Sequence, residues 1–241
     1  MEKGKLKEHF LSACNDIAQP LLEAGFKITE KGQRIKKKSP NKDFTYEVYF
    51  ESRTYNNPGS ITVCPALIIY SQKAKAYDLE HTGNPHCKGL VWSSHLGKLM
   101  PQSSSNWNVA GGNREPSITE ITNAIFQYGA PIFQLFDNPD NAVKVLREKG
   151  TLFYEHMTKT LDSLRALTFM LLYGTKEDAE HYFNGYIQRC TYKSKIYELF
   201  STLENTKNID LNFSEFWDAN LIKRAYVAGL NIWNSPNEKG K

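Results

Sequence analysis

The sequence predicts an α+β protein in which an N-terminal helix and a mainly antiparallel sheet are followed by a bundle of five or six helices. Three observations carry this expectation. Apolar residues from Lys3 to Leu22 recur at spacings of three and four; segments between Phe26 and Tyr70 alternate with period two or are apolar throughout; and helical spacing returns from Ser117 onward. Strands grouped ahead of helices, instead of interleaved with them, argue against a doubly wound α/β fold.

The first helix buries Leu6, Phe10, Ala13, Cys14, Ile17 and Leu21, with Gly25 as its stop signal. Pro20 removes a backbone hydrogen bond inside that pattern, so a kink or restart is expected there. Phe26 to Lys38 crosses a turn at Lys31-Gly32 and reads as a hairpin. In Phe44 to Glu51, Phe44, Tyr46, Val48 and Phe50 share one face, and Thr45, Glu47, Tyr49 and Glu51 the other. Ile61 to Tyr70 is apolar on both faces and rich in β-branched residues, which suits a central strand with an irregularity at Pro65. Residues 71 to 116, dense in Ser, Asn, Gly, Pro and His, are expected to be largely irregular, apart from a strand at Leu90 to Trp92. Loops of that length are usually functional or disordered.

Ser117 and Glu120, following Pro116, form the pattern of a capping box and predict a helix start at Ser117, with Ile118, Ile121, Ile125, Tyr128 and Ile132 as its apolar stripe. Asn138-Pro139 predicts another start, ended by Gly150. The remaining apolar sets are Leu161, Leu164, Leu167 and Leu171; Tyr182, Phe183, Tyr186 and Ile187; Ile196, Leu199, Phe200 and Leu203; and Phe213, Phe216, Trp217 and Leu221 with Ala225. A boundary near residues 150 to 157 gives an α+β domain over 1–150 and a helical subdomain over 151–241. One continuous domain, in which the later helices cover a face of the sheet, remains the alternative.

Composition excludes several classes. With 40% hydrophobic, 12% aromatic and 23% charged residues, the 241-residue chain has ample material for a core, and a disordered protein is not expected. The longest apolar runs fall well below the ~20 residues of a membrane helix, so no membrane span is expected. The charged start, without a continuous apolar region behind it, predicts no signal peptide. Cys14, Cys64, Cys87 and Cys190 show no CxxC spacing, which suits reduced thiols and a cytoplasmic location. The net charge of +4 bears on solubility more than on choice of partner.

Candidate chemistry gathers in the 71–116 segment. His81, His86, Cys87 and His95 offer the imidazole and thiolate ligands that zinc prefers, although their spacing matches no finger, ribbon, HExxH or deaminase pattern. These residues are more simply read as polar-loop histidines and a packed cysteine, so no cofactor is expected, with zinc at that set as the alternative. Trp92 and Trp107 bracket a stretch holding His95 and Ser103-Ser-Ser105, the mixture of rigid aromatic and small polar residues found on binding surfaces. Lys31, Arg34, Lys36, Lys37, Lys38 and Lys42 form a basic run without acids between them, a third candidate surface for nucleic acid. Strand alternation divides it, however, sending Lys36 and Lys38 to one face and Lys37 to the other, and no aromatic interleaves with it, so nucleic acid is not the expected partner. No GxSxG elbow, GxGxxG or GxxxxGK[ST] loop occurs, while a Cys and His site assembled only in space stays open. Glu47 and Glu51 share a strand face but stand about 13 Å apart at ~3.3 Å per residue, beyond the ~5 to 9.5 Å of glycosidase pairs.

The leading amphipathic helix, the Leu22-Glu-Ala-Gly25-Phe26-Lys27 junction, the basic strand Arg34 to Lys38 and the aromatic strand Phe44 to Phe50 resemble a bacterial family of unknown function with immunity-protein-like members. The resemblance covers roughly residues 1–150, chiefly Leu6 to Tyr70, and brings no catalytic residue with it. It implies a bacterial cytoplasmic protein that binds another protein without a turnover reaction. The expected function is accordingly a non-enzymatic interaction module using Trp92, His95 and Trp107, for such surfaces need buried aromatic or Arg anchors. The alternatives are a metal-dependent hydrolase or structural zinc protein using His81, His86, Cys87 and His95, and a nucleic-acid binder through Lys31–Lys42.

Overall fold

The computed structural model describes residues 3–52, 55–102 and 106–233. The architecture is the predicted α+β one, and the chain forms two compact units: residues 1–70 with 92–137, and residues 71–91 with 138–241.

In the first unit, α1 (Lys3–Glu23) buries Phe10, Cys14, Ile17 and Leu21 as its spacing predicts. It runs through Pro20 without a break, because a proline so close to the C-terminus of a helix displaces one hydrogen bond only and leaves the turns before it intact. Gly25, at φ +89, then turns the chain. Strands β1 (Lys27–Thr29) and β2 (Arg34–Lys38) form the predicted antiparallel hairpin around the 3-10 turn Glu30–Gly32. β2 continues antiparallel onto β3 (Phe44–Ser52), with Arg34 opposite Tyr49 and Lys36 opposite Glu47.

β4 (Thr62–Ser71) is the central strand expected and runs unbroken through Pro65. β5 (Leu90–His95) follows in the order β1-β2-β3-β4-β5, and the short β6 (Trp107–Asn108) pairs antiparallel with β4. One sheet face is apolar: Phe44, Tyr46, Val48 and Phe50 of β3 are buried, as the alternation predicts.

That face meets a helical rod made of α3 (Arg114–Ala124), a π turn (Ile125–Gly129) and α4 (Ala130–Asp137). Tyr46 stacks on Phe133 at 5.0 Å, Phe44 meets Phe136 edge-on at 6.2 Å, and the absence of a Cβ at Gly129 admits Leu67 of β4. The rod starts three residues ahead of the predicted capping box. Pro116 occupies its first turn, where a missing N–H costs nothing, and the Ser117 hydroxyl donates to the Asn108 carbonyl instead of capping.

The second unit corrects the expectation that residues 71–116 are largely irregular, since Gln72–Thr82 is a helix, α2. Only Ala74 in it is buried, so no apolar stripe announces it; the caps do. Ser71 Oγ accepts from the Ala74 amide, and Gly83 closes the helix at φ +64. α5 (Pro139–Lys149) begins at Asn138 and ends at Gly150 as predicted. Leu161 and Leu164 lie in two 3-10 turns ahead of α6 (Leu167–Tyr173). α7 (Lys176–Arg189) and α8 (Lys193–Leu203) follow their predicted apolar sets.

The last set is another correction. α9 spans Ala219–Val227 only, because Asp218 takes a left-handed φ of 63 and breaks the helical run, leaving Phe213 and Trp217 exposed. The loop between α5 and α6 is held by the Asp162 carboxylate, which accepts from the Thr151 amide and hydroxyl and from Arg189 Nε at 2.6 Å. No helix among the described residues is long and apolar enough to cross a membrane.

Candidate functional site

The residues singled out by sequence fall into different settings. Trp92 and Trp107 are 2% and 3% exposed and belong to the core, so neither presents a ring to a partner. This corrects the expected binding surface, of which His95 alone remains accessible. Ser103–Ser105 lie outside the described residues.

His81, His86 and Cys87 belong to the second unit and His95 to the first. His81 stacks on Tyr77 at 3.9 Å, and its Nδ1 lies 2.9 Å from the Tyr77 carbonyl, the geometry of a helix-surface pair. His86 is exposed, and the Cys87 thiol donates to the Lys75 carbonyl at 3.4 Å. Among the described residues these three form no ligand cluster.

The cluster that does form joins His95 to Glu51 and Cys64. Each contributes a ligand-type atom, and the three atoms all lie within 4.8 Å of one another. Three neighbouring strands position them: Glu51 near the end of β3, Cys64 early in β4 and His95 at the last residue of β5. Alternation puts Glu51 on the face opposite Phe50, with Glu47 and Tyr49, and Cys64 opposite Val63, which is fully buried. His95 Nε2 stands 3.2 Å from Glu51 Oε2, and both side chains are partly exposed, at 39% and 44%. Cys64 is in no disulfide.

Chemically, the group combines a carboxylate, an imidazole and a thiol, the three donor types zinc accepts. Tetrahedral zinc with bonds of about 2.0–2.3 Å sets its ligand atoms roughly 3.3–3.7 Å apart. Side-chain rotation of the order of 1 Å therefore closes the present spacing, with one coordination position left open. The same three groups are also the residue types of a thiol nucleophile, an imidazole base and an acid that orients the imidazole.

Along the same face, away from the cluster, lies the basic run. Arg34 and Lys36 stand 3.4 and 3.3 Å from the carboxylate of Glu47, whose side chain is 1% exposed. Arg34 also covers the Tyr49 ring at 4.6 Å and reaches Glu30 at 3.4 Å. Lys37 emerges on the other face beside Tyr46, as alternation predicts. Two of the six cations are thus neutralised at the sheet, and a third is turned away from them.

Sequence reasoning missed Glu51 and Cys64 as partners of His95. The signal available was partial. Alternation places Glu51 on the polar face of its strand, but the register between strands, which decides what lies beside it, is written in no local pattern. No family model matches this sequence, no curated protein matches it, and no solved structure matches the fold.

Proposed function

We propose that the chain is a metal-binding protein that holds a zinc-class divalent cation at Glu51, Cys64 and His95. One observation supports the reading above all others: three ligand-type side chains, from three neighbouring strands and distant in sequence, converge within 4.8 Å. Structural zinc sites are normally closed by four protein ligands, whereas three leave a position for water or substrate. A zinc ion held by Glu51, Cys64 and His95 would supply Lewis-acid activation of water for hydrolysis, which gives the metal-dependent alternative a different ligand set from the one the sequence suggests.

The test is the metal content of protein made without a histidine tag, alongside Cys64→Ser and His95→Asn variants. About one zinc per chain, lost in both variants, is the expected result. Protein that is metal-free as isolated, and that gives no thiolate-to-metal absorption when titrated with cobalt(II), overturns the proposal.

A second reading rests on the His95–Glu51 contact at 3.2 Å, which orients an imidazole close to a thiol. In that case Cys64 acts as a nucleophile without metal. Alkylation by iodoacetamide separates the two readings: rapid, chelator-independent modification of Cys64, slowed by Glu51→Gln, favours the thiol, while protection by zinc favours the metal. The interaction-module reading has lost the anchors that motivated it, since Trp92 and Trp107 are core residues.

A further inference from the structure

On the apolar face of the sheet in the first unit, the end of α1, β2, β3, the π turn and α4 enclose an open-mouthed cavity of about 110 Å³. Its walls are the rings of Phe26, Tyr46, Phe126 and Phe133. Phe126 is 39% exposed near the start of the π turn, an irregularity that recurs at functional sites.

Two opposite charges share this apolar space. Lys37 lines it with its Nζ 5.9 Å from the centre of the Phe26 ring, and makes no ion pair among the described residues. Asp137 lines it as well; its Oδ1 accepts from the Tyr46 hydroxyl at 2.6 Å, while Oδ2 has no hydrogen bond among the described residues. Burial and the neighbouring carboxylate push the Tyr46 phenol far above its ordinary value, so it remains a donor and fixes the orientation of Asp137.

An apolar cavity with one cation and one anion at its polar groups matches a zwitterion with an apolar body. We infer that this cavity binds a free α-amino acid with a branched aliphatic side chain, its carboxylate on Lys37 and its ammonium on Asp137. The side chain sits among the rings. Size points to the class: an apolar cavity of about 150 Å³ holds benzene, so the smaller space here suits a leucine-sized group better than the indole of tryptophan. This site is independent of the metal proposal, because Tyr46 and Glu51 lie on opposite faces of β3.

Calorimetric titration of the full chain tests it with L-leucine, 4-methylpentanoate, isopentylamine, N-acetyl-leucine amide and L-tryptophan. Leucine is expected to bind saturably, the two singly charged analogues about tenfold more weakly or worse, and the capped amide and tryptophan not measurably. Lys37→Met is expected to weaken leucine about tenfold while leaving isopentylamine unchanged, and Asp137→Asn to weaken leucine while sparing 4-methylpentanoate. Phe126→Ala, at the exposed mouth, gives a variant that leaves the core untouched and also weakens leucine. Absence of saturable leucine binding up to about 10 mM, affinity indifferent to both charge substitutions in folded protein, or tighter binding of the capped amide than of leucine overturns the inference.

Discussion

At the scale of single residues, His95 and Glu51 meet at 3.2 Å, and Cys64 completes the cluster. Metal ligands must be deprotonated, so zinc affinity is expected to fall as pH falls, and competition titrations at several pH values check this. Removing the imidazole by His95→Ala should weaken zinc more than Glu51→Gln, because the glutamine keeps an amide oxygen that still ligates while alanine offers no donor. A different buried acid gives a sharper sign. Asp218 accepts from the hydroxyl of Tyr186 at 3.0 Å, and Tyr192 lies beside both. Burial nevertheless holds its carboxyl above the ordinary value, against the pull of the two hydroxyls. A carboxyl raised in the fold supports folding where it is protonated, and that support is lost as pH rises through the raised value. Asp218→Asn, which keeps an acceptor and tolerates φ 63, is therefore expected to match or exceed the wild type in melting temperature at pH 7. The wild type should gain on that variant as pH falls toward the ordinary carboxylate range. Asp218→Ala, which removes the buried acceptor of the Tyr186 hydroxyl and puts a Cβ residue that cannot hydrogen-bond locally in the left-handed region, should lose about 2 kcal/mol.

At the scale of elements, caps and glycines decide where helices stand. Thr175 and Asp178 cap α7 reciprocally, and Arg147 holds Asp178 at 2.7 Å from α5. The Thr175 amide, then the Thr175 hydroxyl and Arg147, keep the Asp178 carboxyl below its ordinary value in spite of some desolvation. A depressed carboxyl supports the fold above the ordinary range and loses that support as pH falls through the depressed value. Thr175→Ala is accordingly expected to cost about 1 kcal/mol by urea unfolding at pH 7, and less in acid. Gly89 and Gly83 make a controlled pair around α2. Both have positive φ, yet a Cβ at Gly89 would stand 2.3 Å from the Ser71 carbonyl and 2.4 Å from the Lys75 amide, while one at Gly83 meets open space. Backbone atoms cannot move aside, so Gly89→Ala should cost about 2–4 kcal/mol and Gly83→Ala about 1 kcal/mol. Equal midpoints for the two variants in urea would show that the close approach at Gly89 is not energetically significant. α2 itself shows why periodicity failed there: a helix burying Ala74 alone has no stripe to detect, and its signals are Ser71 and Gly83 at its ends.

At the scale of the whole molecule, the four thiols report the environment that folding imposes. Cys14 is fully buried in the core of the first unit, and burial pushes its thiol far above the ordinary value. Native protein treated with a thiol-reactive disulfide reagent is expected to leave Cys14 silent while Cys64, Cys87 and Cys190 respond, and denatured protein to count all four. Added zinc should withdraw Cys64 from the native count. Charge is redistributed in a similar way. With Arg34 and Lys36 held at Glu47 and Lys37 on the opposite face, the basic run does not present a continuous phosphate-binding surface. Retention on a duplex DNA column is therefore expected to vanish near physiological salt, and persistent binding with a steep salt slope would restore the nucleic-acid reading.

Patterns local to the chain determined the α+β order, the face of α1, the alternation of β3 and the start of α5 at Asn138-Pro139. These were legible because helix and strand periods and proline chemistry act within a few residues. Only the tertiary structure decided that Trp92 and Trp107 are core, that Asp218 interrupts the last helical run, and that His95 meets Glu51 and Cys64 instead of His81, His86 and Cys87. The physical reason is the same in each case. Burial and proximity depend on strand order and register, which residues far apart in sequence settle together through packing, and a one-residue slip in register would give each side chain a different set of neighbours.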